Sequence, residues 1–89
     1  MENKNCYVVT SPELGRNCIL KIYLAGSEED AKIAYSKDEN SWIFEDMQEN
    51  IREYKEENIN ITDDLLITWI DNLLNYHNVV FHSKGYTKL

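Results

Sequence analysis

The residues most suggestive of a chemical role are acidic and lie in the middle of the chain. Glutamates recur there at every fourth position: Glu45, Glu49, Glu53 and Glu57. In a helix this spacing places them on one face, about 6 Å apart along the axis. Neighbouring like charges destabilise a helix by roughly 0.2–0.5 kcal/mol each, so folding alone would favour alternating signs. With two further acids they form what we call the carboxylate ridge: Glu45, Asp46, Glu49, Glu53, Glu56 and Glu57.

Two interpretations of the carboxylate ridge stay open. It is either the solvated face of a helix in an acidic protein, or a row of charges that imitates nucleic-acid phosphates and occupies a basic groove on another protein. In the second case the ridge inhibits its partner and catalyses nothing. Trp42, just before the ridge, either packs against the first helix or the connector, or serves as an aromatic anchor in the interface.

No other group in the sequence has a recognisable chemical role. The histidines, His77 and His82, and the cysteines, Cys6 and Cys18, lack the paired spacings of a metal site. Neither cysteine is adjacent to a basic residue that would activate it as a nucleophile. We therefore expect no enzymatic activity, no metal and no cofactor, and we expect His77 to interact with the dipole at the end of a helix.

The distribution of charge narrows the choice of partner. The net charge is −7, and residues 28–64 contain thirteen acidic and four basic residues, a net −9 within that block. Nucleic acid and anionic membrane surfaces would be repelled by such a field. The sequence therefore predicts a basic protein surface as the partner.

The length and composition predict a single compact domain, residues 1–89, in the cytoplasm. The hydrophobic fraction of 43% and the charged fraction of 28% are typical of a globular protein. The N-terminal residues lack the pattern of a signal peptide, and no apolar run reaches the ~18 residues that a membrane span needs. In the cytoplasm Cys6 and Cys18 would be reduced thiols.

Two apolar segments near the N-terminus predict a β-hairpin. The first, residues 6–10, ends at a turn that contains Pro12 and Gly15. The second, residues 17–25, alternates two sets of side chains: Cys18, Leu20, Ile22 and Leu24 on one face, and Ile19, Lys21 and Tyr23 on the other. Because successive strand residues point to opposite faces, we expect the first set to be buried.

The remainder of the chain predicts helices and a final strand. Residues 62–78 form the best-defined helix, with Thr62 as N-cap and an apolar arc of roughly 200°. Residues 41–57 form another, with Ser41 as its cap. Its stripe of buried residues would be Ile43, Phe44, Met47, Ile51 and Tyr54. Residues 79–83 form the third strand, before a turn and tail at 84–89.

One segment has two predictions. Residues 31–37 form either a short helix capped at Ser27, or a strand over 31–36 that turns into a partner at 41–45. With the helix, the element order is ββαααβ. This predicts an α+β fold in which a small antiparallel sheet of about three strands is packed on one face by two or three helices.

A short segment resembles a known family. Residues 21–26, KIYLAG, are similar to the opening strand and glycine of nucleoside deoxyribosyltransferase-like enzymes. The similarity ends at Ser27, where that family usually continues with proline. No position of this chain corresponds to the family's catalytic carboxylate, so the resemblance implies no activity here.

These observations lead us to expect a small acidic non-enzymatic inhibitor that binds the nucleic-acid-binding site of a target such as a nuclease or CRISPR effector. Phages and mobile elements encode such anti-defence, DNA-mimicking proteins, and the Lys-, Asn-, Ile- and Glu-rich composition fits an AT-rich genome. The alternative is an immunity- or antitoxin-like protein, or a homodimer, that interacts through apolar surface of the wide helix. A third class, sequestration of a small ligand between sheet and helices, requires polar groups that converge on a pocket.

Overall fold

A computed structural model describes the chain over residues 4–14 and 19–87. Its strands are β1 (Lys4–Thr10), β2 (Ile19–Ala25) and β3 (Val80–Thr87), and its helices are α1 (Glu28–Lys37), α2 (Phe44–Glu56) and α3 (Asp63–Tyr76). A short 3-10 turn, Pro12–Leu14, follows β1. This order confirms the predicted ββαααβ arrangement and α+β class. Residues 17 and 18 of the predicted second strand, including Cys18, lie outside the described residues.

The strands form an antiparallel sheet in the order β2-β1-β3, with β1 in the centre. β1 pairs with β2 as expected, and its other edge receives β3 after the chain has passed through the helices. In β1, Tyr7, Val8 and Val9 are 4%, 7% and 0% exposed. β3 runs past its predicted end at Ser83 to Thr87, because its last residues pair with the start of β1 beyond a bulge.

Helix α1 decides between the two predictions for residues 31–36. Ser27 Oγ accepts a hydrogen bond from the backbone N–H of Asp30 at 3.1 Å, which satisfies a donor left free at the helix start. Acidic residues in the first turn complement the positive end of the helix dipole. Ala31 and Tyr35 are then buried on one face. The helix is confirmed and the strand alternative is wrong.

Helix α3 begins as predicted, with Thr62 Oγ1 accepting a hydrogen bond from the backbone N–H of Leu65 at 3.2 Å. Its apolar arc is mostly covered by the rest of the protein. Ile70 and Leu74 are buried, while five further arc residues are half-buried: Leu65, Leu66, Ile67, Trp69 and Leu73. Only Tyr76, in the last turn, is strongly exposed.

Helix α2 begins later than predicted. It begins at Phe44, and Ile43 occupies the N-cap position without a side-chain capping bond. Ser41 does not cap it, because residues 38–44 first make a turn in which the backbone N–H of Ser41 donates to the carbonyl of Asp38 at 2.9 Å. The predicted stripe is confirmed. Its members are buried or half-buried: Ile43, Phe44, Met47, Ile51 and Tyr54.

The predicted faces of β2 are wrong. Ile22 and Leu24 are 53% and 43% exposed, whereas Tyr23 points toward the helices. The pairing with β1 sets these faces: Tyr23 pairs with Tyr7 on the side that faces the helices, whereas Ile22 and Leu24 pair with Val8 and Cys6 on the other side. A bulge then lies near the start of β2, where Val9 pairs with Lys21 and Thr10 already pairs with Ile19. The extra residue, Leu20, can therefore face the core on the same side as Tyr23.

The core lies between one face of the sheet and the helices. Its buried residues are Val9, Tyr35, Ile43, Met47, Ile70, Leu74 and Val79. The Tyr35 ring of α1 meets Tyr23 of β2 and Phe81 of β3 edge-on, at centroid distances of 6.3 and 5.7 Å. Each such pair contributes about 0.5–1.5 kcal/mol beyond its buried area. Tyr35 thus attaches α1 to both outer strands.

The cap of α3 gives a stability prediction. Thr62→Ala should lower the free energy of unfolding by about 1 kcal/mol, because the backbone N–H of Leu65 loses its acceptor. Thr68→Ala is the matched control: Thr68 Oγ1 merely donates to the carbonyl of Asp64 within the helix, and alanine is the better helix former. Urea unfolding of both variants measures the difference. Equal stabilities would contradict the assigned cap.

Candidate functional site

The carboxylate ridge forms as predicted along the side of α2 that faces away from the core. Met47, on the opposite side of the same helix, is 1% exposed. The ridge glutamates are all exposed: Glu45, Glu49, Glu53, Glu56 and Glu57. The last of them occupies the C-cap position, one residue beyond the helix. The helix therefore holds a row of carboxylates on a rigid element whose other side is anchored in the core.

No ridge glutamate has an ion-pair partner within the described residues, whereas Asp38, Glu28 and Asp71 each pair with a lysine. Lys32 Nζ lies 2.8 Å from Asp71 and 3.3 Å from Glu28, and Lys21 Nζ lies 3.5 Å from Asp38. Over the described residues, no side-chain hydrogen bond or ion pair involves a ridge glutamate. Arg52 and Lys55 belong to the same helix and do not neutralise them. The lysine ion pairs of the described residues lie away from the ridge.

Asp46 differs from the other ridge residues. Its Oδ2 lies 3.0 Å from His77 Nε2, at the C-cap of α3. The contact joins the first turn of α2 to the end of α3, two places that are 31 positions apart in sequence. A protonated His77 would make it an ion pair. Asp46 therefore has a structural partner, and it lies at the margin of the ridge.

Trp42 is half-buried and packs against the core, so the structure supports the packing interpretation for most of its side chain. Its backbone N–H donates to the hydroxyl of Tyr35 at 3.3 Å. Because α2 begins at Phe44, Trp42 belongs to the preceding turn and not to the helix. Only its exposed part could contact a partner of the ridge.

Polar groups converge at a cavity of about 250 Å³ between β2, the end of α1 and the following turn. Asp38 is the centre of this network. It accepts hydrogen bonds from the Asn40 backbone N–H (3.0 Å) and the Tyr23 hydroxyl (3.1 Å), and it pairs with Lys21. The Asn40 N–H, then Tyr23 and Lys21, hold the pKa of Asp38 below its usual value. Burial, and then Asp38, raise the pKa of Tyr23 well above its ordinary value.

The groups around Asp38 satisfy one another, but the buried hydroxyl of Ser41, which also lines the cavity, has no hydrogen-bond partner within the described residues. Both carboxylate oxygens of Asp38 already have donors. A groove of about 430 Å³ lies beside α1, α3 and β3. Its one lysine, Lys32, already forms ion pairs with Asp71 and Glu28. Burial lowers the pKa of Lys32, but the two carboxylates outweigh burial and the net shift is upward.

The sequence predictions missed an apolar surface on the sheet. We call the side that faces away from the helices the outer sheet face; its described residues are Lys4, Cys6, Val8, Thr10, Ile19, Ile22, Leu24, Val80 and His82. Four of its apolar side chains, Ile19, Ile22, Leu24 and Val80, are between 39% and 56% exposed. A signal was present: β2 carries apolar residues at both alternating sets of positions, as a strand covered on both faces does.

Within the described residues, no three His, Cys, Asp or Glu side chains come together as metal ligands would. The described helices are too short or too polar to cross a membrane. Comparisons with protein families, with curated proteins and with solved structures give no match. The case for function therefore depends on the surfaces of this chain alone.

The Asp38 network gives a pH prediction. Because its pKa is lower in the folded than in the unfolded state, the carboxylate stabilises the fold above the ordinary Asp pKa of about 3.9. This contribution is lost as the pH falls through the folded-state pKa. Asp38→Asn should therefore lower the melting temperature at pH 7, and the difference from wild type should shrink toward zero in strong acid.

Glu39→Gln is the control for Asp38→Asn, since the neighbouring Glu39 is exposed and no pairing of its side chain is seen in the structure. Its melting temperature should follow the wild type at every pH. Thermal scans by circular dichroism between neutral and strongly acidic pH make the comparison. A constant gap for Asp38→Asn across this range would mean that its charge contributes nothing.

Proposed function

We propose that this protein is a small, acidic, non-enzymatic inhibitor that binds a basic nucleic-acid-binding site on another protein through the carboxylate ridge. One observation carries the proposal: within the described residues the exposed ridge glutamates have no ion-pair partner, whereas Lys21 and Lys32 pair with acids of other elements. Folding does not require this arrangement, because alternating signs would stabilise α2.

A ridge of this kind suits competition with a nucleic acid. Its carboxylates repeat about every 6 Å along a rigid helix, so they present a regular row of negative charges, as the phosphates of a nucleic acid do. They stay hydrated until a partner binds, and their field accelerates encounter with a cationic surface. A basic groove that neutralises phosphates would neutralise the ridge by the same contacts.

The proposed target is a nuclease or CRISPR effector of a bacterial host, and the proposed source is a phage or mobile element that encodes anti-defence proteins. This places the inhibitor in the cytoplasm and requires no cofactor. Glu45, Glu49, Glu53, Glu56 and Glu57 would supply the charge. Asp46 would contribute from the margin while bonded to His77, and the exposed part of Trp42 would pack against the rim of the target site.

A second candidate function is a protein-interaction module that uses apolar surface, of the immunity or antitoxin type. The exposed apolar surface lies on the sheet and not on α3, where the sequence predicted it. Most of the α3 arc is covered, whereas the outer sheet face is apolar and exposed. Such an interface would depend little on salt, because burial of apolar area drives it.

Charge reversal on the ridge tests the leading proposal. Glu49→Lys/Glu53→Lys should weaken partner binding by about 100-fold or more, since two attractive contacts become repulsive. Stability should be unchanged or higher, because the like-charge pairs at four-residue spacing are relieved. The readout is retention of host-lysate proteins on the immobilised chain, followed by elution with duplex DNA, which competes for the same groove.

Glu29→Lys/Glu39→Lys is the matched control. It changes the net charge by the same amount at exposed positions outside the ridge, so it should retain the same proteins as wild type. The proposal fails if the ridge variant and the control behave alike, or if duplex DNA does not displace the retained proteins.

The two candidate functions also respond differently to salt. Binding through the ridge should weaken steeply between low and high ionic strength, because salt shortens the range of exposed charges. Binding through the outer sheet face should change little. Calorimetric titration of the captured partner at about 50 and 500 mM salt separates the two, and a flat response would favour the apolar surface.

A further inference from the structure

We propose that the outer sheet face is a self-association surface, on which a second copy of this chain packs sheet against sheet. This inference is independent of the carboxylate ridge and of its target, and it assigns to a second copy the surface that the second candidate function would use. It starts from the exposed apolar side chains of β2 and β3, which the helices leave uncovered: Ile19, Ile22, Leu24 and Val80.

The chemistry of this face selects an uncharged partner surface. Among its described residues there is no carboxylate, although the chain has a net charge of −7, and its only basic residues are Lys4 at one end and His82. A basic protein would find no acid there to pair with. A nucleic acid would find too few cations. A second outer sheet face is equally apolar and equally free of carboxylates, so it needs neither acids nor further cations to pack here.

Two polar groups on this face already pair with each other. Thr10 Oγ1 and His82 Nε2 lie 2.9 Å apart and share a hydrogen bond, so covering them leaves neither group without a partner. This matters because a buried donor or acceptor that loses water without compensation opposes association. Val8 lies at the centre of the face, paired with Ile22 and His82. Its side chain is already buried, with 7% of the residue exposed.

The molecule is thin in one direction. The Cα trace measures 43 × 36 × 18 Å, and its radius of gyration is 14.0 Å. A compact chain of this length is expected near 12 Å. The smallest dimension fits two layers, a sheet and its helices. Two copies packed through their sheets, about 10 Å apart, would form a four-layer assembly with helices outside.

The area available sets the expected strength. Three strands about 4.8 Å apart and about seven residues long give roughly 300–500 Å² per copy. Both copies together would bury roughly 600–1,000 Å², which is below the 1,200–2,000 Å² of standard interfaces and in the range of weak, transient ones, so we expect a weak dimer. The interface would be isologous, with the same residues contributed by both copies around a two-fold axis.

Sedimentation velocity tests the dimer with the whole chain, from about 5 to about 500 µM, a range that brackets a weak interface. Wild type should shift from monomer to dimer, and the shift should persist at high salt. Ile22→Lys/Leu24→Lys should stay monomeric throughout, because two copies would bring buried lysines together. The control, Ile59→Lys/Tyr76→Lys, changes exposed apolar residues outside the sheet by the same charge and should dimerise like wild type.

A second measurement does not depend on whether a variant folds. In wild-type protein, methyl resonances of Ile22, Leu24 and Val80 should shift with concentration, whereas those of Ile59 should not. A monomer at every concentration overturns the proposal. So does a dimer that survives Ile22→Lys/Leu24→Lys, or one whose concentration-dependent shifts lie outside the outer sheet face.

Discussion

The structure depends on one-sided burial of the sheet. The helices cover the face that carries Val9, Tyr23 and Phe81, and the main core forms in that single interface. Every other feature follows from it. β1 must be central to be buried, α1 must reach both outer strands through Tyr35, and the opposite side of the sheet keeps its apolar side chains exposed.

Features that depend on neighbours in sequence could be predicted. Ser27 and Thr62 cap helices through bonds to residues three positions later, and the stripe led by Ile43 and Met47 follows helical periodicity. These signals are local, so the sequence contains them in full. The carboxylate ridge belongs to the same class, because residues four positions apart share a helix face whatever the rest of the chain does.

Features that depend on pairing between distant residues could not be predicted. The exposure of Ile22 and Leu24 depends on their pairing with Val8 and Cys6 of β1, and a shift of that register by one residue would reverse the two faces. The contact between Asp46 and His77 likewise requires two helices to meet. A sequence with apolar residues at both alternating positions of β2 does not say which set the helices will cover.

The same one-sidedness separates the two proposed surfaces. The ridge projects from α2 on the side opposite Met47, whereas the outer sheet face lies beyond the strands, so the core stands between them. Electrostatics favours this separation. In a chain of net charge −7, self-association meets least repulsion where carboxylates are absent, as they are among the described residues of the outer sheet face.

A sheet-to-sheet dimer would consequently present two ridges facing outward, and each could occupy a basic site while the other stayed free. If the target carried two such sites within reach, the second contact would be intramolecular, and a weak dimer could still raise the overall affinity. Binding would in turn raise the local concentration of chains and favour the dimer, since linkage is reciprocal. The weakness expected of the sheet interface is therefore compatible with a role in inhibition, provided that both ridges are engaged at once.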